Sequence, residues 1–167
     1  MVYFLGSITA ITATFFMGCS SDDKEEIDCS LFDPAFPSLF IRIVDSTGVN
    51  LIGNGTLDPD NISVEGDFPG AAFRFIPANE HANPDADIRK LDNSLWLFIP
   101  SRSTFRYTIH LGDIDKTINV AITTEPTRIP CGITYYTPIE GVYNNETLEL
   151  SEVPPLQFYG DLEVSTP

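Results

Sequence analysis

The chain has 167 residues, with 24 Asp and Glu against 9 Lys and Arg, and a net charge of −15. That acidity repels phosphate backbones and anionic lipid, which excludes nucleic acid as a partner and leaves no electrostatic route to a membrane surface. It is not the acidity of a disordered chain: 43% of the residues are hydrophobic and 11% aromatic, enough to build one domain with a packed core.

Met1 to Ser21 contains no Asp, Glu, Lys or Arg, and Ile8 to Met17 is an apolar run with small residues interspersed. Its length suits a signal peptide. A membrane-spanning helix needs about 20 predominantly apolar residues, and Ser7, Thr9, Thr12 and Thr14 dilute this one. The run closes on Phe16, Met17, Gly18 and Cys19, and "SSDDKEE" follows from Ser20 to Glu26. The Gly18-Cys19 junction resembles the lipobox of bacterial lipoproteins, in the looser Bacteroidota-type version. The resemblance implies a lipoprotein signal peptide over 1–18, cleavage before Cys19, acylation of Cys19, and a lipidated acidic tether over 19–28. Acyl chains anchor because each buried methylene contributes about 0.8 kcal/mol. The acidic stretch looks like the export signal of Bacteroidota-type surface lipoproteins. It implies a cell-envelope protein held in the outer membrane by lipid and displayed on the outer face.

With Cys19 assigned to lipid, Cys29 and Cys131 remain of the three cysteines. In an oxidising envelope they are expected to bridge, the alternative being two separate buried thiols. A bridge would close a loop of about 100 residues, for which the chain-entropy account gives roughly 4–5 kcal/mol. Zinc is disfavoured, because neither C-x-x-C nor a paired-histidine spacing occurs.

From residue 29 onward, prolines and glycines punctuate short runs rich in β-branched and aromatic residues. That pattern predicts an all-β domain over 29–167, a single antiparallel β-sandwich. Leu39 to Asp45 is the first strand, with Leu39, Ile41 and Ile43 on one face because strand side chains alternate. Ser46-Thr47-Gly48 makes a turn and "VNLI" leads onward. Ile62 to Glu65 and Ala72 to Ile76 are further strands. Pro77 to Asn93 is long for a connection, and reads as a loop or a short helical turn. "SLWLFIP" is a continuous apolar run around Trp96, the pattern of a strand buried on both faces. In "TFRYTIHLGDIDKTINVAITTEP", Phe105, Tyr107, Ile109 and Leu111 alternate with polar residues, as do Ile118, Val120 and Ile122. This predicts an antiparallel hairpin with its apolar face inward. "GITYYTPI", "GVYNNETLEL" and "LQFYGDLEV" supply the last strands. Two packed antiparallel sheets are the simplest arrangement. "IRIVDSTGVNLIGNGTL" resembles the opening of carboxypeptidase-regulatory-like and transthyretin-like sandwiches, which implies a seven-stranded Greek-key sandwich. An immunoglobulin-like arrangement is equally compatible.

Catalytic chemistry is thinly represented. His81 and His110 are the only histidines. His110 falls on the polar face of its strand, and His81 sits beside Glu80 in the long loop. No G-x-S-x-G elbow occurs and no nucleophile is marked as a triad partner, so the chain is read as non-catalytic and no cofactor is implied. Asn83, Asp85 and Asp87 alternate as weak candidates to wrap a hard cation. Ile88 and Ser94 stand where a calcium loop requires Gly and Glu, so a polar turn-forming loop is the simpler reading. Tyr135, Tyr136, Phe158 and Tyr159 would form either a sugar-stacking platform or half-buried packing. The function expected is a surface-displayed binding or accessory module on a lipid tether, with a protein or glycan ligand. The alternative is a structural or adhesion subunit of an envelope assembly, and a hydrolase or enzyme inhibitor is the remaining class.

Overall fold

A computed structural model describes residues 27–165 of the chain. The expected signal peptide over 1–18, Cys19 and most of the tether lie outside the described residues. The described chain is all-β, with ten strands in two five-stranded sheets and only short 3-10 turns as helical structure. In one sheet β3 (Phe73–Ile76), β4 (Ser94–Leu97), β1 (Ser38–Val44), β10 (Gln157–Glu163) and β9 (Ser151–Val153) lie side by side in that order. The other runs β2 (Ile62–Gly66), β5 (Thr104–Leu111), β6 (Lys116–Arg128), β7 (Thr134–Tyr143) and β8 (Glu146–Leu148).

The period of two explains the core. Phe105, Tyr107, Ile109 and Leu111 of β5 and Ile118, Val120 and Ile122 of β6 are buried, while Arg106 and Asn119 are exposed. They meet Leu39, Ile41 and Ile43 of β1, Leu95 and Leu97 of β4 and Leu162 of β10 in one hydrophobic cluster. Both sheets therefore turn an apolar face to the same layer, and a fully buried side chain of this size contributes about 1.5–3 kcal/mol.

Several expectations are corrected. The fold is not wholly antiparallel, because β1 pairs in parallel with β10 over Ser38↔Gln157 to Val44↔Glu163. Alternation marks which face of a strand is buried and carries no information on the direction of its neighbour. "SLWLFIP" is not buried on both faces: Leu95 and Leu97 are buried, but Trp96 is 38% and Phe98 57% exposed. "VNLI" is a turn with one isolated bridge, Val44↔Asn50. There the Asn50 side-chain oxygen accepts from the backbone N–H of Ile52 and Gly53 and curls the chain. Residues 134–143 form one strand where two were expected. The turn after it uses Asn144 and Asn145, both at positive φ, as a tight hairpin requires.

Two local devices shape one end of the molecule. The β6–β7 register shifts between Thr123 and Thr124, and such a bulge bends the ladder. The buried Thr124 holds the bend in place, its hydroxyl donating to Arg102 O at 2.6 Å and its N–H to Ser103 O at 2.8 Å. Within the loop over 77–93, a 3-10 turn (Asp87–Leu91) puts Leu91 against Phe40 and Val153. This second, smaller cluster covers part of the outer face of the first sheet.

Candidate binding groove

That outer face carries an aromatic row, in which Phe40 lies within the smaller cluster and Trp96 is exposed. Strand pairing sets Arg74 opposite Trp96, Trp96 opposite Phe40, and Phe40 opposite Tyr159. Directly opposed residues share a face, so these four form a row across β3, β4, β1 and β10. The Trp96 and Phe40 rings stack, with centroids 6.4 Å apart and planes 19° off parallel. The Arg74 guanidinium lies 5.5 Å from the Trp96 ring centre. At the other end Arg42 lies 5.2 Å from the Tyr159 ring and makes a two-pronged ion pair with Asp161, at 2.5 and 2.6 Å. Asp161 holds the Arg42 pKa above its ordinary value.

Beside the row opens a cavity of about 510 Å³, whose walls include Phe36, Arg74, Trp96, Phe98 and Tyr135. A second cavity of about 380 Å³ shares Ser38, Arg74 and Trp96 with it and continues past Ile88 to Asn79 and Gln157. Both volumes fall in the range of small-ligand pockets; the larger has mostly apolar walls, and the smaller adds Asn79, Gln157 and Asp92, whose carboxylate is paired with Arg89. Neither wall carries a histidine or cysteine.

The groove is assembled from distant parts of the chain. The sulfurs of Cys29 and Cys131 lie 2.07 Å apart, a disulfide distance, across a sequence separation of 102. This pairing holds the segment before β1 against the start of β7. Phe36 and Tyr135 then meet edge to face at 6.4 Å and 82°, with Phe36 still 52% exposed. The Tyr107 hydroxyl donates to Phe98 O at 2.5 Å and pins the chain just past β4. Burial pushes the Tyr107 phenol above its ordinary pKa.

Charge in the groove is asymmetric. Arg42, Arg89, Lys90 and Arg102 are each paired with a carboxylate. Arg74, exposed at the junction of the two cavities, has no carboxylate within ion-pair distance among the described residues. The arrangement can offer apolar contact and one anion receptor.

The residues singled out from sequence are dispersed. Cys29 and Cys131 come together. Tyr135 and Tyr136 line the larger cavity and Tyr159 belongs to the outer row, whereas Phe158 packs against the main core, so the four do not form one platform. Asn83, Asp85 and Asp87 are all exposed, and Asp87 is engaged by Lys90 at 2.8 Å. No group of three or more His, Cys, Asp or Glu gathers among the described residues. His81 is exposed, and His110 lies 3.0 Å from the Thr117 hydroxyl, far along the other sheet. Phe36, Arg74 and Phe98 were missed. For two of them a signal existed: Trp96 and Phe98 have the parity opposite to Leu95 and Leu97, and Arg74 interrupts Phe73 and Phe75. No protein-family model, curated protein or solved structure matches this chain.

Proposed function

We propose that this protein is a cell-envelope lipoprotein whose two-sheet domain is a non-catalytic binding module, displayed on the outer face of the outer membrane. The Gly18-Cys19 junction and the acidic stretch after it support the address. The observation that carries the binding reading is the aromatic groove itself. Phe36, Trp96 and Phe98 keep 52%, 38% and 57% of their surface exposed, and all three line the same cavity. Exposed aromatic clusters of this kind mark contact sites. The sheets are read as a single β-sandwich of the immunoglobulin-like or transthyretin-like kind, enlarged to ten strands from the usual seven or so.

Two measurements test this. Cys19→Ser is expected to abolish acylation, so that the protein leaves the detergent phase on partitioning. A variant that stays there with unchanged mass would show that a helix, not lipid, holds it. Screening the purified domain against peptide and glycan arrays is expected to give hits that Phe98→Ala removes without lowering the melting temperature. Hits that all survive Phe98→Ala would place binding elsewhere, and an absence of hits on both arrays would defeat the binding reading.

A further inference from the structure

The four outermost strands of the two sheets are β3 and β9 in one, β2 and β8 in the other. An outermost strand carries unpaired backbone N–H and C=O groups and invites another strand, and proteins commonly defend it with charge or by keeping it short. Here β2 carries Glu65, β8 carries Glu146 and β9 carries Glu152, and β8 and β9 have only three residues each. In a chain of net charge −15, a glutamate on the edge repels another copy and most other acidic segments. β3 differs, because its residues are Phe73, Arg74, Phe75 and Ile76, with no carboxylate. It also borders both cavities: Phe73 and Arg74 line the larger, Arg74 and Ile76 the smaller.

We propose that β3 is the docking edge of the groove, and that its occupant is an extended, mainly apolar segment of another protein that carries a single carboxylate in the row of side chains facing the groove. This rests on the binding reading above and names its partner. Strand addition would satisfy the free backbone groups of β3, while alternate side chains of the incoming segment enter the cavities. Apolar residues would fill the space beside Phe36, Phe98 and Tyr135. A carboxylate would meet Arg74, whose planar guanidinium is held against Trp96 and keeps its in-plane N–H donors open for a two-pronged contact. A saccharide fits less well. Trp96 has the Arg74 guanidinium against its ring and Phe40 beside it, which leaves less of the indole for a sugar to stack on. A polyanion would be repelled by the rest of the chain.

The test uses Trp96, the only tryptophan, as an intrinsic reporter. The domain is titrated with short end-capped peptides rich in valine and threonine that carry one glutamate, with the same peptides carrying lysine in place of that glutamate, and with neutral oligosaccharides. The glutamate peptides are expected to change Trp96 emission saturably and to slow amide exchange in β3. Arg74→Gln is expected to weaken them about tenfold, an effect of the size a charge-assisted hydrogen bond supplies. Equal binding by the lysine peptides would overturn the proposal, and so would saturation with β3 exchange unchanged. Oligosaccharide binding that Phe98→Ala removes would overturn it while leaving the binding-module reading intact. Failure of every probe to bind would also overturn it.

Discussion

Asp45 shows how one side chain can set a turn. Its carboxylate accepts from Thr47 N–H at 2.8 Å, the Thr47 hydroxyl at 2.7 Å and Val49 N–H at 3.0 Å, closing the turn that leaves β1. These bonds favour the charged form, so its pKa falls below the ordinary value, with the Thr47 hydroxyl as the largest cause. A carboxylate whose folded pKa is lowered contributes stability above its unfolded pKa and loses it as pH falls through the folded one. Asp45→Ala is therefore expected to melt below the parent at neutral pH, and the gap is expected to close once the medium is acidic enough to protonate Asp45. Thermal melts of both proteins across that range check it; a gap independent of pH would mean the carboxylate's charge is irrelevant. The Asp-x-x-Gly spacing of this turn was legible in the sequence, since Asp bonding to the backbone ahead of it is a local event.

The β5–β6 hairpin was equally legible as an element. Alternation in both segments placed Val120 inward and Asn119 outward, and in the fold Val120 is fully buried and Asn119 exposed beside Thr108. Val120→Asp would put an unpaired charge among Tyr107, Ile109 and Ile122. It is expected to unfold the domain or destabilise it by about 4 kcal/mol. Asn119→Asp keeps the oxygen that accepts from the Thr108 hydroxyl and is expected to change stability by less than about 0.5 kcal/mol. Urea melts of the two variants decide between them, and the reverse order would mean a slipped register. β4 was read less well. Its run of apolar residues is what a doubly buried strand produces. It is also what a strand with one aromatic outer face produces, and the difference lies in whether another layer covers that face.

At the scale of the whole molecule, the Cys29–Cys131 pair ties the chain ahead of β1 to the β6–β7 arm and so builds one wall of the groove. Replacing both cysteines by serine is expected to cost up to about 4–5 kcal/mol, because the unfolded chain regains the entropy of a long loop. Calorimetry of the double variant checks this. The same variant is expected to lose peptide binding at the groove even below its melting point, since Phe36 is no longer held against Tyr135. Retained binding would show that Phe36 is not part of the site.

The sequence by itself determined the all-β class, the inward face of most strands and the turn at Asp45. These follow from local alternation or from turn chemistry, whereas the Cys29–Cys131 pairing was an expectation that rested on assigning Cys19 to lipid, and the fold brings the two sulfurs together. Only the tertiary structure decided that β1 runs parallel to β10, that Trp96 and Phe98 stay exposed, and that Arg74 is unpaired on an edge without carboxylates. Those properties depend on which strands become neighbours and on what covers each face. Segments more than 100 residues apart settle that, as the pairing of Arg42 with Asp161 across a separation of 119 illustrates, and no local pattern encodes it.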